Sequence, residues 1–347
     1  MTGAASLQVR PLEPDREAQW DAFVFAQAEG TFFHRLGWRR VIERAFHHPC
    51  HYLGVWAGEE LRGVLPLVHQ RSRLFGNALI SIPFGVYGGI LARDQAAWQA
   101  LEEAGKALAH RLAVDHLELR HRQTPLPPGW QGRDLYYTFR QPMKADQEAN
   151  LQAIPRKQRA EVRRGLQAGL TGMVTADPER CYALYAESVR NLGTPVFPKA
   201  LFTTLQEVFG ADCQGLVITH QGRDVNGVLS FYFRDEVLPF YGGGVAAARG
   251  LGAHPFMYWT LMGHALARGA RVFDFGRSKK GTGSFDFKKN FGFTPSLLPY
   301  AYHLVRAERM PEYNPLNPKY RLFIALWQRL PLGLTRVVGP WLSRGLG

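Results

Sequence analysis

Apolar and polar positions along the chain alternate so as to spell out one unit twice. In the first half, YLGVWA and GVLPLVHQ read as strands joined by a glycine turn, and ALISIPFGVYGG continues as a third β-rich run. Trp98, Leu101, Ala104, Leu108 and Leu112 then recur at helical spacing before the apolar DHLELRHR. In the second half, QGRDVNGVLS and PFYGGGVAA are followed by a helical PFMYWTLMGHALARGA and the strand RVFDFGRS. Gly58 and Gly63 match Gly222 and Gly227, and Tyr87 matches Tyr241 at the end of the glycine-bearing strand. Helices are expected upstream in both halves, over Glu17 to Glu29 and Gly37 to Phe46, then over Pro178 to Asn191 and Lys199 to Phe209.

Antiparallel strands followed by a helix and a further strand describe an α/β (α+β) unit of the N-acyltransferase type, the GNAT-like fold, here in tandem. The polar stretch QPMKADQEANLQAIP suggests a boundary, with residues 1–150 as a first domain, 151–310 as a second and 311–347 as a tail.

Composition narrows the chemistry. A formal charge of +13 and a pI near 9.9 favour polyanionic partners such as nucleic acid, phosphorylated carriers or an anionic membrane face. Three scattered cysteines form no metal or disulfide pattern, so no metal site is expected; HHPCH reads as a polar loop. Neither a signal peptide nor an apolar run of ~18 residues is apparent, which points to a cytoplasmic location.

The ordered set YGGG, PFMYW, VFDFGRS and FKKNFGF resembles the FemAB-like peptidyltransferases, with Phe287, Lys288, Phe291 and Gly292 in the ending Phe-Lys-x-x-Phe-Gly. FFHRLGWRRVI resembles the family's early helix entry. SVRNLGTPVFPKALF and GRSKKGTGSFDFKKNFGF resemble the subfamily associated with exosortase (PEP-CTERM) and exopolysaccharide gene clusters. The resemblance spans about Phe32 to Phe293. It implies direct transfer of an aminoacyl group from aminoacyl-tRNA to an amine on a cell-wall precursor, with no tightly bound cofactor. Well-studied members carry a helical arm in the second domain, and no room for one exists between Asn226 and Phe293. An acyl-CoA donor acting on an amino sugar, and a non-catalytic polysaccharide-export binding protein, remain as alternatives.

Amide formation needs a neutral amine, a polarised carbonyl and a route for a proton. Tyr241, Asp274 and Lys288 are the candidate catalytic residues; Lys288 fills the position that the resemblance marks. Arg156, Lys157, Arg277, Lys279, Ser284 and Lys289 are candidates for binding a phosphorylated or lipid-linked surface-polymer precursor. Gly276 and Gly281 have P-loop spacing but lack the Gly-Lys-Ser/Thr end, and no helix is expected after them. ARGLGAH resembles the GNAT pyrophosphate motif, which makes Arg249, Gly250 and Gly252 candidates for holding a donor.

No acidic residue follows Glu312. Residues 319–347 alternate apolar blocks with Arg321, Arg329, Arg336 and Arg344, a pattern suited either to the inner face of an anionic membrane or to covering an edge of the second domain.

Overall fold

The computed structural model describes residues 6–72, 75–311 and 321–346. Two compact units emerge. The first comprises Met1–Asp134, Leu298–Tyr313 and Arg344–Gly347; the second comprises Leu135–Leu297 and Asn314–Ser343.

The first unit contains β1 (Leu7–Pro11), α1 (Glu17–Ala26), α2 (Gly37–Phe46), β2 (Cys50–Ala57), β3 (Glu60–Ser72), β4 (Gly76–Ile80), β5 (Leu91–Ala92), α3 (Gln95–Arg111), β6 (His116–Arg120) and β7 (Gln131–Gly132). Strands β1 to β4 pair antiparallel in sequence, and β4 then pairs parallel with β6 across the α3 crossover. Asp94 starts α3 by accepting a hydrogen bond from Ala97 N at 2.9 Å. Its apolar face, Leu101 and Leu108, packs on Leu65, Leu67 and Leu117; each such side chain contributes about 1.5–3 kcal/mol by leaving water.

The second unit contains β8 (Tyr136–Pro142), α4 (Gln147–Ala153), α5 (Arg156–Gln167), β9 (Thr171–Thr175), α6 (Pro178–Asn191), α7 (Lys199–Phe209), β10 (Cys213–His220), β11 (Arg223–Phe233), β12 (Glu236–Gly244), α8 (Ala253–Ala267), β13 (Val272–Lys279), α9 (Gly283–Asn290) and β14 (Ser296–Leu297). Its pairing repeats that of the first: β9 to β12 are antiparallel, and β12 joins β13 in parallel across α8. Even the hairpins correspond, for Gly58 and Gly222 both turn at positive φ and both pairs carry a bulge, at Val55/Trp56 and at Ile218/Thr219. The tandem GNAT-like reading of the repeat is the fold observed.

The border is not a single cut near residue 150. β8 lies in the second sheet, paired with β13 and β14, because Phe139 belongs to that core. The strand β15 (Tyr300–Leu304) returns to the first sheet, between β6 and β7, where Ala301 is fully buried. Helices α10 (Arg321–Arg329) and α11 (Leu332–Ser343) close the chain against α6 of the second unit. Residues 312–320, in the first part of the expected 311–347 tail, lie outside the described residues.

A second difference from expectation decides where ligand can enter. The β-rich run ALISIPFGVYGG is a strand only as far as Ile80. Residues 81–90 are irregular and wholly buried, with Ile82 and Phe84 at positive φ, a costly conformation for such side chains. Ser81 N donates to Glu118 O (2.8 Å), Gly88 N to Arg120 O (2.9 Å), and Arg120 Nη1 to Gly85 O (2.9 Å). Glycine is needed at 88 and 89, since a Cβ would lie 2.4 Å from Ile82 Cγ1 and 2.2 Å from His121 Nδ1. The chain itself fills the space beside β6.

Candidate functional site

In the second unit the same place is open. Strands β12 and β13 are paired only at Glu236–Val272 and Val237–Phe273, after which they diverge. Beyond Val237, β12 stays paired with β11 as far as Gly244, while its ladder to β13 has ended.

The divergence is fixed by a bend in β13, whose register against β8 shifts between Asp274 and Arg277. Gly276 takes φ +65° at the bend, where a side chain would be strained. Asp274 is fully buried; its Oδ1 accepts hydrogen bonds from Gly276 N (2.7 Å) and Thr138 Oγ1 (3.3 Å). From the other side Lys288 Nζ donates to the carbonyls of Phe275 (2.7 Å), Gly276 (3.2 Å) and Arg277 (3.1 Å). Burial lowers the Lys288 pKa to about 7, Asp274 opposing the shift and Arg277 adding to it. Carboxylate and amine thus grip the N–H and C=O groups of one kink.

Lys288 reaches this position because the loop after β13 is followed by a helix, contrary to expectation. Thr282 Oγ1 donates to Lys279 O (2.6 Å), closing the turn, and α9 begins at Gly283. Phe285, Lys288 and Phe291 are spaced by three and share a helical face. Lys279 and Arg277 stand over Tyr136, at 5.8 and 4.6 Å from the ring centre, while Ser284 and Lys289 are exposed on α9. Arg156 and Lys157 are exposed at the start of α5, beside α9's end, since a Cβ on Gly292 would sit 2.9 Å from Pro155.

Tyr241 faces elsewhere. Its ring lies among Tyr185, Phe202 and Phe240, at 5.8, 5.4 and 4.8 Å, and burial pushes its pKa well up. It is a packing group of the α6–α7 face.

The cavity, about 380 Å³, opens at the end of β12. Gly244, Val245, Ala248 and Arg249 form one wall, Asn226 the floor, and Ser188 and Asn191 of α6, with Leu192 just after it, the opposite wall. Gly243 lets α6 approach, since its Cβ would lie 2.4 Å from Ser188 Cβ. Gly252 takes φ +67° and a Cβ there would meet Glu161 O at 2.2 Å, so only glycine fits. With glycine at its N-cap, α8 opens on the cavity without a side-chain cap from residue 252, and its first turn offers the amides of Ala253 and His254, Pro255 having none. Arg249 adds an exposed cation at the rim; Gly250 is exposed and outside the lining.

His254, in the first turn of α8, also lines the cavity. It is exposed to solvent at the cavity, and the packing of its ring moves its pKa down. Its Nδ1 lies 3.4 Å from Asn226 Nδ2, and its ring rests on Tyr258 and Phe287 at 4.9 Å each. Neither His254 nor Asn226 was among the expected site residues. Asn226 could have been found as a lone amide in an otherwise apolar strand interior.

A cavity with helix amides and a cation at one end, leading to a splayed strand edge, suits a ligand with an anionic head and an amide-bearing arm. Residues 156–289, from the start of α5 into α9, match the family described as an acetyltransferase (GNAT) domain. Acyl transfer is the activity that this domain carries. No curated protein matches the chain by sequence. Among solved structures, FemX is similar at a TM-score of 0.65 and 14% identity, covering 91% of this chain and 100% of its own. A tandem GNAT protein from the clavulanic acid biosynthesis pathway is similar at 0.58 and 14%, covering 86% and 99%. The C-terminal domain of a putative lysylphosphatidylglycerol synthetase from Agrobacterium fabrum is similar at 0.54 and 13%, covering 83% and 91%.

Proposed function

We propose that the second unit is an N-acyltransferase site that forms an amide on an amine of a phosphorylated or lipid-linked cell-surface polymer precursor. The observation that carries this reading is the splay of β12 from β13, with the α8 cavity at its end. The acyl donor lies along the β12 edge, its phosphate-bearing end on the α8 amides and Arg249. Acyl-CoA is the donor favoured by this arrangement, and the tandem GNAT protein of the clavulanic acid pathway, a fold likeness, was solved without AcCoA. Aminoacyl-tRNA is the second reading, the donor that the resemblance of VFDFGRS and FKKNFGF to the FemAB-like family implies.

In the reaction the neutral amine attacks the donor carbonyl, a C–N bond forms, and the C–S bond of a thioester or C–O bond of an ester breaks. The leaving group departs with the pair of electrons and takes up the proton that the attacking nitrogen sheds on becoming an amide. Backbone N–H groups of the open β12 edge stabilise the developing oxyanion. Asn226 and His254 orient the amine. Asp274 and Lys288 act as positioning residues that keep the strands apart, while Arg277, Lys279, Ser284, Lys289, Arg156 and Lys157 form the basic margin for the acceptor's phosphate.

Calorimetric titration of the full chain with acetyl-CoA and with charged tRNA tests the donor. Arg249→Ala should weaken binding of the true donor about tenfold, as expected for loss of one charge-assisted phosphate contact. Failure of both donors to bind would sink the enzyme reading in favour of a polysaccharide-export binding protein.

A further inference from the structure

The two closing helices are amphipathic in the wrong sense for a domain covered by water. Along α11, the residues that pack inward are Thr335, Gly339 and Ser343, spaced by four. A Cβ on Gly339 would sit 2.8 Å from Val196 N, and Ser343 Oγ donates to Val196 O at 3.2 Å. The outward ridge is Leu334, Val337, Val338 and Trp341, with Val337 and Trp341 76% and 69% exposed. In α10 the inward anchors are Ile324, against Gly193, and the buried Trp327, while Leu322, Phe323 and Leu326 face out. Seven large apolar side chains are thus presented by two successive helices, more than a water-covered surface ordinarily collects in one place.

Charge indicates what covers them. The last 35 residues hold five basic side chains and no acidic one. The patch also adjoins the cavity: Gln328 Nε2 donates to Asn191 O at 3.0 Å, and Asn191 and the exposed Leu192 line the cavity wall. Among the described residues no helix is long and apolar enough to cross a membrane.

We infer that α10 and α11 form a peripheral docking surface for an anionic bilayer, with Trp341 and the outward aliphatic ridge entering the headgroup boundary and the exposed Arg329 reading lipid phosphate, while Arg336 packs inward over the Tyr182 ring at 5.5 Å. A second copy of this chain would have to set one acid-free face against another, which like charge disfavours. The surface places the α6 wall of the cavity next to the lipid, where a lipid-borne acceptor would be delivered. The docking itself is independent of the chemistry in the cavity.

Co-sedimentation of the full chain with vesicles of phosphatidylcholine, with and without phosphatidylglycerol, tests this. Binding should be at least about tenfold stronger on the anionic vesicles and should weaken as salt is raised. Val337→Asp with Trp341→Ala, both at exposed positions, should reduce that binding about tenfold or more while leaving the thermal transition in place. Trp341 emission should shift to the blue on binding, and Trp341→Phe should remove the shift. No preference for anionic vesicles, or equal binding by the double variant, overturns the inference. So does a dimer in sedimentation that the double variant dissolves, which would assign the face to a second copy.

Discussion

The amine of Lys288 lies 2.7 Å from the carbonyl oxygen of Phe275 and within hydrogen-bond distance of the next two carbonyls along β13. The lysine therefore acts on the shape of a strand. Replacing it with methionine leaves buried carbonyls without their donor, at a cost of roughly 3 kcal/mol. Chemical denaturation of Lys288→Met checks this, with transfer kinetics alongside. A variant that keeps both full stability and full kcat/KM would remove Lys288 from the positioning role.

The same lysine predicts a pH signature. Its pKa is about 7 folded and 10.5 as an ordinary side chain, so between those values the unfolded chain holds the proton more tightly. Its contribution is fully present above 10.5 and is lost as pH falls through 7. From pH 7 to 9 the wild type should gain about 2–3 kcal/mol relative to Lys288→Met, at ~1.4 kcal/mol per pH unit. Parallel stability curves for the two proteins would contradict the assignment.

Gly252→Ala should close the donor end of the cavity. The added carbon meets Glu161 O at 2.2 Å and forces an alanine to φ +67°. A loss of roughly 2–4 kcal/mol is expected from the strain and overlap together, with KM for the donor raised more than kcat is lowered. Gly250→Ala, in open space, is the control and should behave as wild type.

Direct transfer without an acyl-enzyme predicts inert thiols. Cys181 and Cys213 are buried, Cys50 is half-buried, and burial raises all three pKa values, Cys181 to about 12. Native protein should react slowly with a thiol reagent at pH 8 and release three equivalents when denatured. Rapid labelling of one cysteine that stops transfer would reopen a covalent route.

Acid should loosen the first unit. His34 and His121 are both buried and held near pKa 4 by desolvation, His34 donating from Nε2 to Gly89 O at 2.9 Å. Unfolded, each titrates near 6.5, so stability is full above that value and falls as pH drops toward 4. Each histidine should take away about 2 kcal/mol between pH 6.5 and 5. Buried His48 and His116 and half-buried His51 are shifted in the same direction, so His121→Leu should remove about 2 kcal/mol of the total fall in urea titrations rather than all of it; an unchanged slope would exclude it.

Much of the architecture was legible because it rests on local periodicity. The helices α2, α6 and α7 begin and end where their apolar spacing says, and the twin glycine turns mark the repeat. Residues 81–90 were not legible: FGVYGG resembles PFYGGG, and only contact with Arg120 and His121 separates a filled space from an open one. The burial of Lys288 follows from its spacing to Phe285 and Phe291, a pattern visible once α9 is recognised as a helix. Strand alternation puts Asp274 on the face opposite Phe273 and Phe275, where it meets Gly276 and Thr138. The border at residue 150 failed because β8 and β15 pair with strands that no local pattern links to them.

That exchange of strands bears on how the chain is made. β15 is the neighbour of β6, yet it is translated about 180 residues later. A nascent chain emerging from the ribosome cannot finish its N-terminal sheet until Tyr300–Leu304 has cleared the exit tunnel. For most of synthesis the edge of β6 stays unpaired and open to other strands. Early termination anywhere between the two should yield fragments that depend on chaperones, and neither half expressed alone should reach a native core.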